Sequence, residues 1–179
     1  MKKLTLVGMF CCAAISAAAD PTLPPNMNLA EDRAQVLEMA RKMIQADPYM
    51  TLVTVDEHGQ PHARIMEHSP PDENMVIYFS TIPGTRKLEQ IRQNPKVTLF
   101  FNGPGDFSYL SVIGLATIHT DIATIKEHAW RDPAARAQFW PDYPENFVLV
   151  RLQPRWLELV APQLESREAD WRPQAVVFE

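Results

Sequence analysis

The sequence predicts a mainly β protein, an antiparallel barrel of six or seven strands with helical insertions. Three observations predict it. Hydrophobic spacing changes from helical to alternating after Ala46 and stays alternating through most of the remaining chain. The alternating runs are separated by turn-forming segments: DEHGQ (56–60), SPPDEN (69–74) and NGPGD (102–106). Helical stretches occur at only three points, too few for the strand–helix alternation of a doubly wound sheet.

Each element follows from local chemistry. DPTLPPNMN (20–28) reads as an extended leader. Asn28 and Glu31 form a capping-box pattern. Behind it Val36, Leu37, Ala40, Met43 and Ile44 recur at helical spacing as far as Ala46, where Asp47-Pro48 stops the helix. MTLVTV (50–55) and PHARIMEH (61–68) read as a hairpin, and MVIYF (75–79) as a third strand. A short helix begins at Thr85 and ends at Asn94-Pro95. KVTLFF (96–101) is a fourth strand, and FSYLSVIGLATIHT (107–120) is a long fifth with Gly114 as a bend or bulge. Residues 121–130 and 133–140 read as two helical pieces broken near Arg131-Asp132. NFVLVRLQP and RWLELV (146–160) complete the sheet, and WRPQAVVFE (171–179) is a candidate edge strand.

The first residues stand outside this domain. MKK is a basic start, LTLVGMFCCAA (4–14) an apolar segment short for a membrane span, and Ala17-Ala18-Ala19 a small-residue cleavage site. Residues 1–19 therefore read as a secretory signal peptide cut before Asp20. The alternatives are an uncut anchor, or lipid attachment at Cys11 or Cys12, against which Phe10 stands where a small residue is wanted. The remaining boundaries are a leader and helix start over 20–33, a barrel domain over 34–162 and a tail over 163–179. Cleavage removes Lys2, Lys3 and both cysteines, so the formal charge of −5 falls by a further two. The exported chain then has no disulfide and no thiolate. Its acidity argues against nucleic acid and, once the signal is removed, against anionic membranes.

STIPGTRK (80–87) holds an anomaly. It joins a strand to a helix, so Arg86 and Lys87 fall in the helix's first turn. Unpaired N–H groups already make that end positive. An exposed misplaced cation costs only about 0.3–1 kcal/mol, so two side chains pointing into water remain one explanation.

Other constellations are weaker. His58, His62 and His68 sit on one hairpin but at turn and strand ends, and solvated surface explains them better than a metal site does. His119 and His128 are candidate axial haem ligands without a specific pattern. Trp130, Trp140 and Trp156 read as core or interface. GPGD (103–106) lacks the lysine and following helix of a phosphate loop.

The ordered series TLVTVDEHGQPHARIM (51–66), IYFSTIPGTRKLEQIRQNPKVTLFF (77–101) and, more weakly, YLSVIGLATI (109–118) resembles the pyridoxamine-phosphate oxidase-like FMN-binding split barrels, within them the general stress protein 26-like group. The resemblance implies a split barrel, a homodimer and bound FMN. It implies that Arg64, Thr85, Arg86 and Lys87 hold the flavin phosphate, which answers the anomaly: a helix N-terminus with arginine and lysine suits a dianion. It implies further that Ile65, Met66, Phe79, Ser80 and Thr81 lie against the flavin ring, Ile65 and Phe79 being equally explained as core. Two departures matter. Tyr109-Leu110-Ser111 replaces the oxidase Gln-x-Arg, and no histidine follows His128 to make the oxidase's C-terminal Arg-x-His pair. A true pyridoxamine-phosphate oxidase is therefore not expected. The readings left are an exported, periplasmic FMN oxidoreductase of unassigned catalytic residues, a non-enzymatic flavin or haem carrier or sensor, and a cofactor-free domain. Lys2-Lys3 in place of a twin arginine implies export unfolded, with any FMN captured outside the cytoplasm.

Overall fold

The computed structural model describes residues 22–103, 107–161, 164 and 172–179. The expected signal peptide, the tip of the GPGD turn and residues 163 and 165–171 of the expected tail lie outside the described residues. Among the described residues eight strands form one sheet: β1 (Asn28–Leu29), β2 (Tyr49–Val55), β3 (Pro61–Glu67), β4 (Ile77–Thr81), β5 (Lys96–Asn102), β6 (Tyr109–His119), β7 (Val148–Val160) and β8 (Gln174–Val177). Four helices join them: α1 (Arg33–Ala46), α2 (Arg86–Gln93), α3 (Ile122–His128) and α4 (Pro133–Phe139). Among the described residues no helix is long and apolar enough to cross a membrane.

The six strands β2–β7 are the expected barrel, in the order β3-β2-β5-β6-β7-β4, and every pair among them is antiparallel. The sheet does not close. Its edges β3 and β4 meet at a single bridge, His68 to Phe79. The barrel interior holds the main core, in which Leu52, Phe79, Leu99, Phe101, Leu110 and Leu157 are fully or almost fully buried.

Four differences from the sequence-based expectations have physical causes. The expected strands 146–154 and 155–160 are one strand, β7. It pairs with β6 along its length, while its other edge takes β4 at 148–152 and β8 at 156–159. Pro154, which has no N–H to donate, sits at the change of partner, where the register with β6 slips beside Gly114. The last strand is not at the sheet edge, because β1 adds beyond β8, in parallel. The first helix is capped by Asp32, whose carboxylate accepts from Gln35 N at 2.9 Å; Asn28 lies in β1 instead. His68 is buried, its ring nitrogens 2.7 Å from Ser69 O and 2.9 Å from Asp47 O, and its ring set edge-on to Phe101.

α3 and α4 lie between β6 and β7 in sequence and bury a second cluster, Ile125, Trp140, Phe147 and Leu149. Their caps are Asp121 and Asp132, each accepting from the first-turn amides that a helix leaves unpaired. Arg131, between them, pairs with Glu67 on β3, its guanidinium packed over the rings of Phe139 and Trp140. Trp140 Nε1 donates to Thr81 O on β4 at 3.4 Å. The insertion thereby holds both edges of the split barrel.

Candidate functional site

The split is where the backbone leaves room. Continuing the antiparallel register from the His68–Phe79 bridge would set Met66 opposite Thr81 and Arg64 opposite Pro83. Among the described residues no ladder forms there. That leaves two unpaired strand edges, with Arg64, Ile65 and Met66 on one and Ser80 and Thr81 on the other, and the slot is the stretch between them.

α2 closes one end of it. The chain leaves β4 through Ile82-Pro83-Gly84, and Gly84 has a φ of 74°, a left-handed turn that favours glycine. Thr85 caps the helix without a side-chain bond, and its Oγ1 is buried with no hydrogen-bond partner. Leu88, Gln90 and Ile91 are buried against the barrel. That fixes the helix so that its first residues, Arg86 and Lys87, stand at the slot. Glu89 also lies in the first turn, but its carboxylate turns toward Arg92 and Gln93.

Arg64 enters from β3. Its Cα partner on β2 is Leu52, an interior residue, so its side chain runs along the inner face toward α2. Its Nη1 donates to Leu52 O at 3.3 Å and Thr54 Oγ1 at 2.6 Å, and its Nη2 donates to Gln90 Oε1 at 3.0 Å. Lys87 Nζ donates to Thr81 Oγ1 at 3.1 Å. Burial, and then the charge of Arg86, push Arg64 below arginine's ordinary value. Burial, and then the charge of Arg64, do the same to Lys87. Arg64 thus feels Arg86 and Lys87 feels Arg64, and among the described residues none of the three has an acidic partner. Like charges at a positive helix end, in partly desolvated surroundings, are an arrangement that a bound anion would stabilise.

The structure therefore brings Arg64, Thr81, Thr85, Arg86 and Lys87 to one end of the slot. Ser80 is buried in its wall, and Met66 packs partly on the main core. Phe79 is wholly core, so it backs the slot instead of lining it with its ring. Ile65 faces the other way, 73% exposed on the outer sheet surface. Thr54 and Gln90 were not expected from the sequence. Thr54 is hidden in an alternating apolar strand and Gln90 in a polar helix.

The outer surface is also apolar. Cross-strand partners place Ile65, Thr51, Phe100 and Ser111 in one row, and Val53, Thr98, Ile113 and Trp156 in the next. Tyr109 stacks on Phe100 with ring centroids 5.6 Å apart. Its hydroxyl is raised above its ordinary value by burial and then by Glu158. The histidines do not gather: His58 is exposed, His62 Nε2 lies 2.9 Å from Asp56 Oδ2, and His128 stacks on Tyr78 at 4.5 Å. Among the described residues no three His, Cys, Asp or Glu side chains are placed to hold a metal ion.

Residues 36–161 match the pyridoxamine 5'-phosphate oxidase family. The pyridoxine/pyridoxamine 5'-phosphate oxidase of Escherichia coli O9:H4 (strain HS) is 32% identical over 117 residues, 64% of this chain and 53% of that enzyme. The chain spans about half the length of the curated relatives it matches. Among solved structures, a protein related to general stress protein 26 from Clostridium acetobutylicum superposes with a TM-score of 0.66 at 19% identity, over 80% of this chain and 94% of that one. A pyridoxamine 5'-phosphate oxidase-related, FMN-binding protein from Nostoc punctiforme gives 0.59 at 18% identity, over 86% and 100%. A heme-binding protein from Mycobacterium smegmatis gives 0.60 at 16%, over 78% and 57%. At these identities the structural likeness establishes the fold.

Proposed function

Because the chain belongs to the pyridoxamine 5'-phosphate oxidase family, we propose that the slot between β3 and β4 holds FMN, with the flavin phosphate taken by Arg64, Arg86, Lys87 and the Thr85 hydroxyl. The observation that carries this reading is uncompensated charge. Three cations without acidic partners gather at a helix N-terminus, beside a buried hydroxyl with no hydrogen-bond partner. A phosphate dianion satisfies both at once. Ile65, Met66, Ser80 and Thr81 are the residues proposed to hold the ring, Ile65 by its backbone.

Bound flavin supplies hydride or electron transfer, the chemistry of an oxidoreductase. The chain's own residues bind and orient it: the cations fix one end, Phe79 and the core behind it exclude water, and the Arg131–Glu67 pair with Trp140 keeps the slot's edges at a set separation. Tyr109-Leu110-Ser111 supports a substrate other than pyridoxamine phosphate. Residues 1–19 support an exported, periplasmic protein. The apolar outer surface supports a homodimer, since exposed Ile65 shares the sheet face with a cleft of about 360 Å³ lined by Val53, Ile113 and Trp156. Light scattering should report a dimer, and Ile65→Asp should shift it to monomer; a monomeric parent protein would contradict this part.

A carrier of haem on the same fold has less support. Of its two candidate ligands, His119 is on β6 next to Asp121, and His128 on α3 stacks on Tyr78, a β4 side chain that alternates with the inward Phe79 and so lies on the opposite face from Arg64 and Lys87.

The pH dependence of binding tests the phosphate assignment. Phosphate favours the ammonium form of Lys87, whose proton is lost below the ordinary 10.5 in the free protein. FMN affinity should therefore fall as pH rises through that lowered value. It should fall again on acidification through about pH 6, where the phosphate gains its second proton. Over the alkaline window the free protein gains stability, because unfolded Lys87 holds its proton to higher pH than the folded residue. Riboflavin should show neither limb. Parallel profiles for FMN and riboflavin would contradict the assignment.

A further inference from the structure

Arg64 is held with unusual completeness for a side chain on an edge strand. Thr54 Oγ1 lies 2.6 Å from Arg64 Nη1 and 2.6 Å from Gln90 Oε1, and Gln90 Oε1 lies 3.0 Å from Arg64 Nη2. Thr54 is fully buried and Gln90 is 6% exposed. The directions of these bonds are forced. Arginine only donates, so Gln90 must turn its carbonyl oxygen toward it. The single hydroxyl proton of Thr54 then goes to Gln90 Oε1, which leaves a lone pair for Arg64.

The two acceptors are adjacent and are served by different guanidinium nitrogens, so they occupy the fork between Nη1 and Nη2. Leu52 O takes the other Nη1 proton. What remains is the side edge made by Nε–H and the second Nη2–H. Those two parallel donors match two oxygens of one phosphate.

We propose that Thr54 and Gln90 are positioning residues that lock the Arg64 guanidinium with only its Nε/Nη2 edge free. This alignment is set before the ligand arrives, and it makes the site choose the phosphate ester of a flavin over the dephosphorylated molecule. The inference rests on the flavin-phosphate reading above. It adds that selectivity resides in a buried pair 36 residues apart that does not itself reach the ligand.

The test uses the protein without its signal peptide, titrated with FMN and, separately, riboflavin, with flavin fluorescence as readout and the melting temperature measured first. Thr54→Val keeps the shape and removes the hydroxyl. FMN affinity should fall about tenfold, the order expected for a hydrogen bond to a charged group. Riboflavin affinity should change less than about twofold, because only the phosphate contact is altered. Thr54→Ser, which restores the hydroxyl, should recover FMN binding. Gln90→Glu is the second variant and covers the case in which Thr54→Val does not fold. Its carboxylate would neutralise Arg64 and should lower FMN affinity further than Thr54→Val does, again sparing riboflavin. Equal losses for both flavins, or unchanged FMN affinity in folded variants, would overturn the inference. If the parent protein prefers FMN and the variants keep that preference, only the positioning role falls. If the parent binds both flavins alike, the phosphate reading falls and the inference with it.

Discussion

Replacing Arg64 by alanine is expected to weaken FMN binding on the order of a hundredfold, because two charge-assisted bonds to phosphate are lost together, about 3 kcal/mol in all. Lys87→Met, which removes one ammonium, should cost on the order of tenfold. The stability of the free protein should separate the two variants. Arg64→Ala leaves Thr54 Oγ1, Gln90 Oε1 and Leu52 O short of a donor, so it should also lower the melting temperature. Lys87→Met removes a partly buried cation held under the charge of Arg64, so the free protein should not lose stability. Weaker FMN binding without a loss of stability is the signature of a residue kept for its ligand. Titration of each variant with FMN, paired with thermal unfolding of the free protein, measures both quantities. Unchanged FMN affinity in both variants would remove the site from its proposed place.

The largest effect on folding is expected at Gly114. A Cβ there would lie 2.1 Å from Gln153 O and 2.9 Å from Pro154 Cα. Both contacts are backbone, and both belong to the β6–β7 ladder at its register slip. Neither atom can swing aside as a flexible side chain can. Gly114→Ala should therefore cost about 3 kcal/mol or more, a large share of the ~5–15 kcal/mol that holds a typical domain together. Urea unfolding of the variant beside the parent protein checks this. An unchanged midpoint would mean that β6 and β7 separate here more readily than the packing implies.

The strands were legible because alternation is a local signal. Leu52, Thr54, Leu99, Phe101, Leu110 and Val112 all face inward, and the residues between them face out. Gly114 was legible as a bulge for the same reason, since one small residue interrupts a run of larger ones. The partner of each strand was not legible. β4 pairs with β7, about seventy residues on, and nothing local specifies that choice. The helix cap was misplaced because Asn28 and Asp32 are both good capping residues, and the pairing of β1 with β8 decides between them. His68 is a polar residue at a strand end, which sequence assigns to the surface. Two backbone carbonyls and the edge-on contact with Phe101 make its burial tolerable.

The site divides in the same way. Thr85, Arg86 and Lys87 are contiguous, and two cations at the wrong end of a helix are visible in the sequence itself. Arg64 entered through the resemblance, and its inward direction needed the register with Leu52. Phe79, for which the sequence left open a place beside the ring or in the core, is buried in the core, because strand alternation puts it on the inner face with Ile77 and Thr81. Thr54 with Gln90, and Arg131 with Glu67, are joined only by tertiary folding, at separations of 36 and 64 residues. No motif announces either pair.

The most direct measurement is the visible absorption spectrum of the purified chain from Asp20 onward, mixed with FMN and then freed of excess by desalting. A retained flavin spectrum near one FMN per chain is expected, with no comparable retention after the same treatment with riboflavin. A colourless protein after FMN treatment would contradict the flavin-phosphate site, and would leave the charges of Arg64, Arg86 and Lys87 gathered for some other anion.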